Sequence, residues 1–421
     1  MTPLTAQTVA VNGTVYRLAN PTLAPPSLTL AARVGDAAPV ASLSVANASP
    51  DAFTERLNAA FGAVSAGFTG SGSITGLAAG ATSNAMGVAL NTGAAGVFNG
   101  TAGVNFVSSG AGTTGAADLA LPGQSVALAG RVYTPAAAQV NTTIVDFGIV
   151  HRGDAIADRA VSVTNSAPVS AANDALQGSL GAASGGFSAG GTLAGLGAGA
   201  TDASSLRVGL ATANAGVFTG TATATFSSHD ADLADLALGS TTIALRGQVN
   251  NFAQASLTKS GAGTLTQLGN TWTLDFGTIA LGDGSLATSL GVLNSAIGPA
   301  DLLSGDFDLS GAGPGFALSG FGSFANLVAG SSFDGLGVSF GADTAGTFLA
   351  TLLLHATGSN ASGFSGRLDD TVLVLRGDVA GAVAAVPEPE TYVLMLAGLA
   401  AVAGVGRRRR HGRQERAVLA A

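Results

Sequence analysis

Four stretches of this chain alternate apolar and other residues with period two. They are "TVAVNGTVYRLA" from Thr8, "SVALAGRVYTPA" from Ser125, "TIALRGQVNNFA" from Thr242 and "VLVLRGDVAGAV" from Val372. Their inward positions fall in step: Val9, Val11, Gly13, Val15; Val126, Leu128, Gly130, Val132; Ile243, Leu245, Gly247, Val249; Leu373, Leu375, Gly377, Val379. Residues two apart share a face of a strand, so each stretch predicts a strand with one buried face. Other runs read the same way. "VFTGTATATF" (Val217–Phe226) puts Phe218, Gly220, Ala222, Ala224 and Phe226 on one face and four threonines on the other. "TFLATLLLHA" turns Phe348, Ala350, Leu352 and Leu354 inward and His355 outward. Short alternating runs between Gly/Ser/Asn turns, with no long amphipathic helix, predict an all-β fold of sandwich type.

The runs belong to repeats. Gly35-Asp36, Gly153-Asp154 and Gly282-Asp283 open three units, and an asparagine follows twelve residues after each glycine: Asn47, Asn165, Asn294. A Gly-Phe pair comes next (Gly67, Gly186, Gly315), then "GVF", "GVF" or "GTF" at Gly96, Gly216 and Gly346. From opening glycine to closing-strand glycine is 95, 94 and 95 residues. The gap between units varies: Gly130 to Gly153 is 23 residues and Gly247 to Gly282 is 35. The extra dozen, roughly "TKSGAGTLTQLG", predicts a small hairpin or linker, flexible by composition. The expected units are residues 24–137, 138–253 and 254–381, the last including that insertion. The recurrent glycines read as turn positions with positive φ, or as places where another backbone comes close.

The openings "VDFGIVHRGDAIADRAVSVTN" and "LDFGTIALGDGSLATSLGVLN" resemble the immunoglobulin-like choice-of-anchor D domains. An aromatic-glycine strand start, a glycine turn and a strand ending in Asn carry the likeness. The first unit, "LTLAARVGDAAPVASLSVAN", lacks the Phe-Gly and is placed by register. The resemblance implies a seven-stranded sandwich used in adhesion or scaffolding.

The strand at Thr8 closes a unit that has nothing before it. Residues 1–23 therefore read as the last strand of an N-terminal repeat whose earlier strands are absent. "MTPLTAQTVAVNGTVYRLANPTL" has neither the basic start nor the apolar stretch of an export signal. The expectation is that Met1 is not the original start and that a signal peptide lies upstream.

The other end differs from everything before it: "VPEPETYVLMLAGLAAVAGVGRRRR", Val386 to Arg410. Residues 390–406 predict one C-terminal transmembrane helix, about 25 Å at 1.5 Å per residue. Pro389 suits the position ahead of a helix. The arginines Arg407, Arg408, Arg409 and Arg410 stop transfer and mark that end as cytoplasmic, with residues 411–421 as a cytoplasmic tail. Val386, Pro387, Glu388 and Pro389, the apolar run and the arginine cluster together resemble the PEP-CTERM sorting signal of Gram-negative bacteria. That resemblance implies an exosortase as processing partner, removal of the tail near Pro387–Pro389, and release or attachment outside the cell. It also implies an inner-membrane intermediate with a periplasmic body.

Composition narrows the chemistry. Of 421 residues, 62 are Gly and only 5% are aromatic, so cores must be built from Val, Leu, Ala and a few Phe. There is no cysteine, which removes disulfides and thiolate metal sites. Six of the 17 basic residues lie at or after Arg407 and three of the 25 acidic ones after Val386. Residues 1–386 thus carry 11 positive and 22 negative charges, a balance that argues against nucleic acid as a partner. The best candidate site is "SSHDADLADLAL", where Asp230, Asp232 and Asp235 with His229 offer oxygen ligands to calcium. The bland alternative is a solvated loop with one turn aspartate, since the matching loop of the first unit holds only Asp118. No HExxH or GxxxxGK[ST] motif occurs, and the four histidines do not pair at i, i+4.

The reading is an exported, non-enzymatic surface or extracellular-matrix protein with no required cofactor. Its partners would be exopolysaccharide or neighbouring copies. The alternatives are a carbohydrate- or calcium-binding module and a secreted hydrolase. Trp272, Tyr16 and Tyr133 are almost the whole supply of the side chains a sugar site usually stacks on.

Overall fold

A computed structural model describes residues 2–381 and 389–414. The chain divides into two units, Met1–Asn250 and Asn251–Ala421. The first unit holds two sandwiches and the second holds one, followed by a helix.

Repeat 1 runs β1 (Pro21–Ala24), β2 (Ser27–Arg33), β3 (Val40–Asn47), β4 (Arg56–Val64), β5 (Phe68–Ser71), β6 (Ser73–Leu77), β7 (Thr82–Leu90), β8 (Gly96–Ser109) and β9 (Leu119–Tyr133). Its two sheets have the orders β1-β3-β7-β5 and β2-β9-β8-β4-β6. Repeat 2 copies the series with β10 (Ala138–Val140), β11 (Ile144–His151), β12 (Arg159–Asn165), β13 (Ala175–Leu180), β14 (Phe187–Gly190), β15 (Thr192–Leu196), β16 (Thr201–Leu210), β17 (Gly216–His229) and β18 (Leu236–Asn250). The sheets are β10-β12-β16-β14 and β11-β18-β17-β13-β15.

Repeat 3 has β19 (Ala255–Gly261), β20 (Thr264–Leu268), β21 (Thr271–Ala280), β22 (Leu286–Asn294), β23 (Leu302–Asp308), β24 (Phe316–Ser319), β25 (Phe324–Leu327), β26 (Ser332–Phe340), β27 (Gly346–Ser359), β28 (Ser365–Arg367) and β29 (Thr371–Ala380). One sheet is β19-β22-β26-β24. The other is β20-β21-β29-β27-β23-β25, with β28 paired to β27.

Each sandwich thus has more than the seven strands expected. One strand of the surplus has a local cause. Between β5 and β6 the chain leaves one sheet and joins the other, and Gly72 makes the step. Gly72, Gly191 and Gly320 have φ of 86°, 111° and 77°. A Cβ there would sit 2.0, 2.0 and 2.2 Å from the carbonyl oxygens of Ala85, Ser205 and Gly335. Only glycine fits, so one expected strand becomes two, one in each sheet.

The insertion in repeat 3 is not a linker. β19 pairs along its length with β22, and β20 adds a strand beside β21. The "DFG" openings mark a second departure from regularity. In repeats 2 and 3 the parallel pairing of the opening strand with the closing strand shifts register at Asp146/Ile149 and Asp275/Thr278. Repeat 1 lacks Phe-Gly, and its β2–β9 pairing runs from Ser27 to Arg33 without a shift.

The cores follow the alternation. In repeat 1, Leu43, Val45, Val88 and Leu90 of the smaller sheet face Leu57, Val104, Phe106, Val126 and Val132 of the larger one. Burying each such side chain contributes about 1.5–3 kcal/mol. The recurrent asparagines are wholly buried. Asn47, Asn165 and Asn294 each accept a hydrogen bond from the incoming chain, at Asn20, Ala137 and Gln254 N. Each also donates to the carbonyl of the residue ending β6, β15 or β25. They pin the connecting segment to each sandwich.

Residues 2–18 form no strand. Only Arg17 makes a bridge, to Thr54. The strand predicted at Thr8 has no neighbour to pair with among the described residues.

Candidate functional site

The acidic loop between β17 and β18 does not gather its carboxylates. Asp230 accepts from Arg33 Nη2 at 3.1 Å, and from the backbone N–H groups of Asp232 and Leu233 at 2.8 Å. Asp232 accepts from the Tyr133 hydroxyl and, at 3.4 Å, from Arg131 Nη1. Asp235 pairs with His229 Nδ1 at 2.6 Å. Among the described residues no group of three or more His, Cys, Asp or Glu is placed to hold a metal ion. The calcium expectation for Asp230, Asp232 and Asp235 therefore has no geometric support. Each acid has a different partner, and two of the partners are cationic.

What the loop makes instead is a clamp between repeats 1 and 2. Arg33, the last residue of β2, is only 7% exposed. Its Nε donates to Asp174 Oδ2 at 2.6 Å, and its other nitrogens reach Asp230, the Ala234 carbonyl and the Ser228 carbonyl. All of these acceptors belong to repeat 2. Asp174 is 1% exposed and also accepts from Ser228 Oγ at 2.7 Å. Its Oδ1 has no partner. Burial pushes the Asp230 carboxyl above its usual range. The nearby Asp174 carboxylate adds to the rise, and the backbone N–H groups of Asp232 and Leu233 oppose it. Two buried carboxylates share one guanidinium, so the cluster is a charge short of neutral.

Arg33 and Asp174 were missed by sequence reasoning, and a signal for them existed. A carboxylate stands 20, 21 and 19 residues after each opening glycine, at Glu55, Asp174 and Asp301, and all three are buried. In repeat 1, Glu55 is held by Ser108 and Thr114. The scarce larger aromatics do not cluster. Tyr16 packs edge-on against Phe53, Tyr133 serves the clamp, and Trp272 lies in β21 of repeat 3.

At the C-terminus, Val386, Pro387 and Glu388 lie outside the described residues. Pro389 starts α1 (Pro389–Gln414). Residues Glu390–Arg407 are 18 residues long and wholly unburied, a span of about 27 Å. Tyr392, Val393, Leu394, Met395, Leu396, Leu399, Val402 and Val405 are all exposed. A helix apolar all round and unburied among the described residues suits the hydrocarbon of a bilayer. The helix continues through Arg407–Arg410 to Gln414, beyond the end expected at residue 406. Arginine is a good helix former, and cations near the C-terminus favour the helix dipole.

A family model described as the PEP-CTERM protein-sorting motif matches residues 385–410. The chain ends in a PEP-CTERM sorting motif. With the bare apolar helix, the motif marks an exported protein that is anchored in a membrane transiently. No curated protein matches the chain. Among solved structures it is similar to mouse cadherin-23 EC22-24, at 12% identity and TM-score 0.35, over 86% of this chain and 100% of that one. It is similar to mouse protocadherin-24 EC1-3, at 10% identity and TM-score 0.35, over 89% and 100%. Drosophila N-cadherin EC1-4 gives 13% identity and TM-score 0.28, over 87% and 76%. Likenesses at these scores extend to no property of function.

Proposed function

We propose that this is a non-enzymatic protein of the cell surface or extracellular matrix, sorted by its tail and built as a scaffold of adhesive β-sandwich repeats. The observation that carries the reading is the sorting motif at residues 385–410, joined to an apolar helix that is unburied among the described residues. An exosortase-type enzyme removes the tail near Pro387–Pro389 after the helix has held the body on the far side of the inner membrane. The body then meets exopolysaccharide or neighbouring copies. A buried ion pair adds little net stability over an apolar contact, but it fixes one geometry. The Arg33 clamp thus supports a stiff spacer over repeats 1 and 2.

The test is intact mass and fractionation of the mature protein from its native host, with and without the exosortase. The expected product ends near Pro387–Pro389 and lies outside the inner membrane only when the exosortase is present. A full-length product held in the inner membrane in both strains would make the tail an ordinary anchor and remove the surface role.

A further inference from the structure

Repeat 3 carries an insertion that adds little to its core. Asn141–Thr143 join β10 to β11 in repeat 2, whereas Ala262–Asn270 stand between β19 and β21 in repeat 3. Within β20 only Leu265 is half-buried, and the rest is exposed. The insertion does set polar side chains beside the chain's single tryptophan. In the β20–β21 pairing Gln267 stands opposite Trp272, and opposed residues of a ladder share a face. The Asn270 carbonyl accepts from Val372 N at 2.9 Å, which holds the turn against β29.

These residues line a cavity of about 220 Å³ that lies wholly within repeat 3. Gln254 lines it from the segment leading into β19, and Leu368 and Asp369 from the segment leading into β29. Trp272 is half-buried, packed against the core on the one hand and lining the cavity on the other. The polar groups have capacity to spare. The Gln254 backbone is held, its N–H by Asn294 Oδ1 at 3.2 Å and its carbonyl by Ser295 N at 2.8 Å. Gln267 Nε2 donates to the Gly269 carbonyl at 3.0 Å, which fixes that amide and leaves Oε1 to accept. Among the described residues, the Trp272 indole N–H, the Gln254 and Asn270 side-chain amides and the Asp369 carboxylate make no hydrogen bond within the protein.

That set selects a chemistry. Asp369 is the one carboxylate lining the cavity among the described residues. It is too little charge for a calcium ion, and it repels an anion. An apolar ligand would cut these polar groups off from water without replacing it. The volume lies below the roughly 300–1,000 Å³ of a site for a drug-sized molecule. A neutral sugar ring fits on each count. Its hydroxyls both donate and accept, so they can meet amides and carboxylate alike. Its C–H face is apolar and suits an indole, which has an apolar body and one polar N–H.

We propose that this cavity is a subsite for one neutral pyranose residue of a polysaccharide, with Trp272 against the ring and Gln254, Gln267, Asn270 and Asp369 on its hydroxyls. The proposal rests on the surface reading above for where such a polymer is met, and on the cavity alone for what is bound.

The test uses the full chain in a detergent without a sugar headgroup and reads the emission of Trp272, the single tryptophan. The chain is titrated with glucose, galactose, mannose, rhamnose and N-acetylglucosamine. Sorbitol, an open-chain polyol, and glucuronate, an anion, are the controls. At least one of the neutral sugars should give a saturable change with a millimolar midpoint, and the controls none. Asn270→Ala and Asp369→Ala keep the tryptophan, and each should weaken that binding by about tenfold, the effect of one lost hydrogen bond. No saturable response to any of the neutral sugars would overturn the proposal. So would an equal response to either control, or a midpoint unchanged in either variant. The binding is measured without the host, so it stands apart from sorting. A tail that fails as a signal leaves it intact, and a cavity that binds nothing leaves the exosortase test unaffected.

Discussion

Asp230 shows what one side chain does when two charges share one partner. Its carboxyl titrates above the usual range because it is buried and lies beside Asp174. The folded chain therefore holds this proton more readily than the unfolded chain does. That contribution is complete below the unfolded value, near 3.9, and is lost as pH rises through the raised folded value. Asn at this position removes the charge that faces Asp174, but its one oxygen serves either Arg33 or the N–H groups of Asp232 and Leu233. Relative to wild type, the melting temperature of Asp230→Asn should therefore rise by on the order of 2 °C between pH 4 and pH 7, the effect of about 1 kcal/mol at this size. Parallel melts of both chains between pH 4 and pH 7 check this, and a difference independent of pH would contradict it.

Elements, by contrast, are set by short sequence marks whose meaning depends on neighbours. The Phe-Gly of repeats 2 and 3 accompanies a register shift in the opening strand, and repeat 1, without it, pairs straight. The added strand β20 is largely exposed and pairs only with β21, where Gln267 stands opposite Trp272. It extends an edge and lays only Leu265, half-buried, against the core. Replacing Ala262–Asn270 by the three residues Asn141–Thr143, which join β10 to β11, should leave repeat 3 folded. The single tryptophan, losing its cover, should shift its emission to longer wavelength. Collapse of the repeat 3 transition in the same melt would show that β20 is part of the core after all.

At the scale of the first unit, the clamp predicts that repeats 1 and 2 unfold together. Arg33→Met removes one side of a buried pair and leaves two carboxylates facing each other, a loss of about 3–5 kcal/mol. A single calorimetric transition for repeats 1 and 2 should then split in two, with new protease cleavage in the segment between β9 and β10. A single transition that merely shifts downward would mean that the other contacts between the repeats suffice.

The sequence by itself determined the strands of the three repeats, their spacing and the sorting segment, while the same alternation at Thr8 forms no strand. Period-two alternation forces a face, equal spacing forces equal units, and an uninterrupted apolar run beside four arginines forces a membrane address. Asn47, Asn165 and Asn294 were visible as register marks, but not as the buried pins they are. Only the tertiary structure decided the strand count, since whether Gly72 continues a strand or steps between sheets depends on a carbonyl at Ala85, distant in sequence. Only it decided the fate of the acidic loop. Asp230, Asp232 and Asp235 carry the same charges in a calcium site or a clamp, and the choice was made by Arg33 and Tyr133, about a hundred residues or more away along the chain. Alternation and spacing are local and survive in a string. A partner's approach from another repeat is not local, and it exists only once the chain has folded.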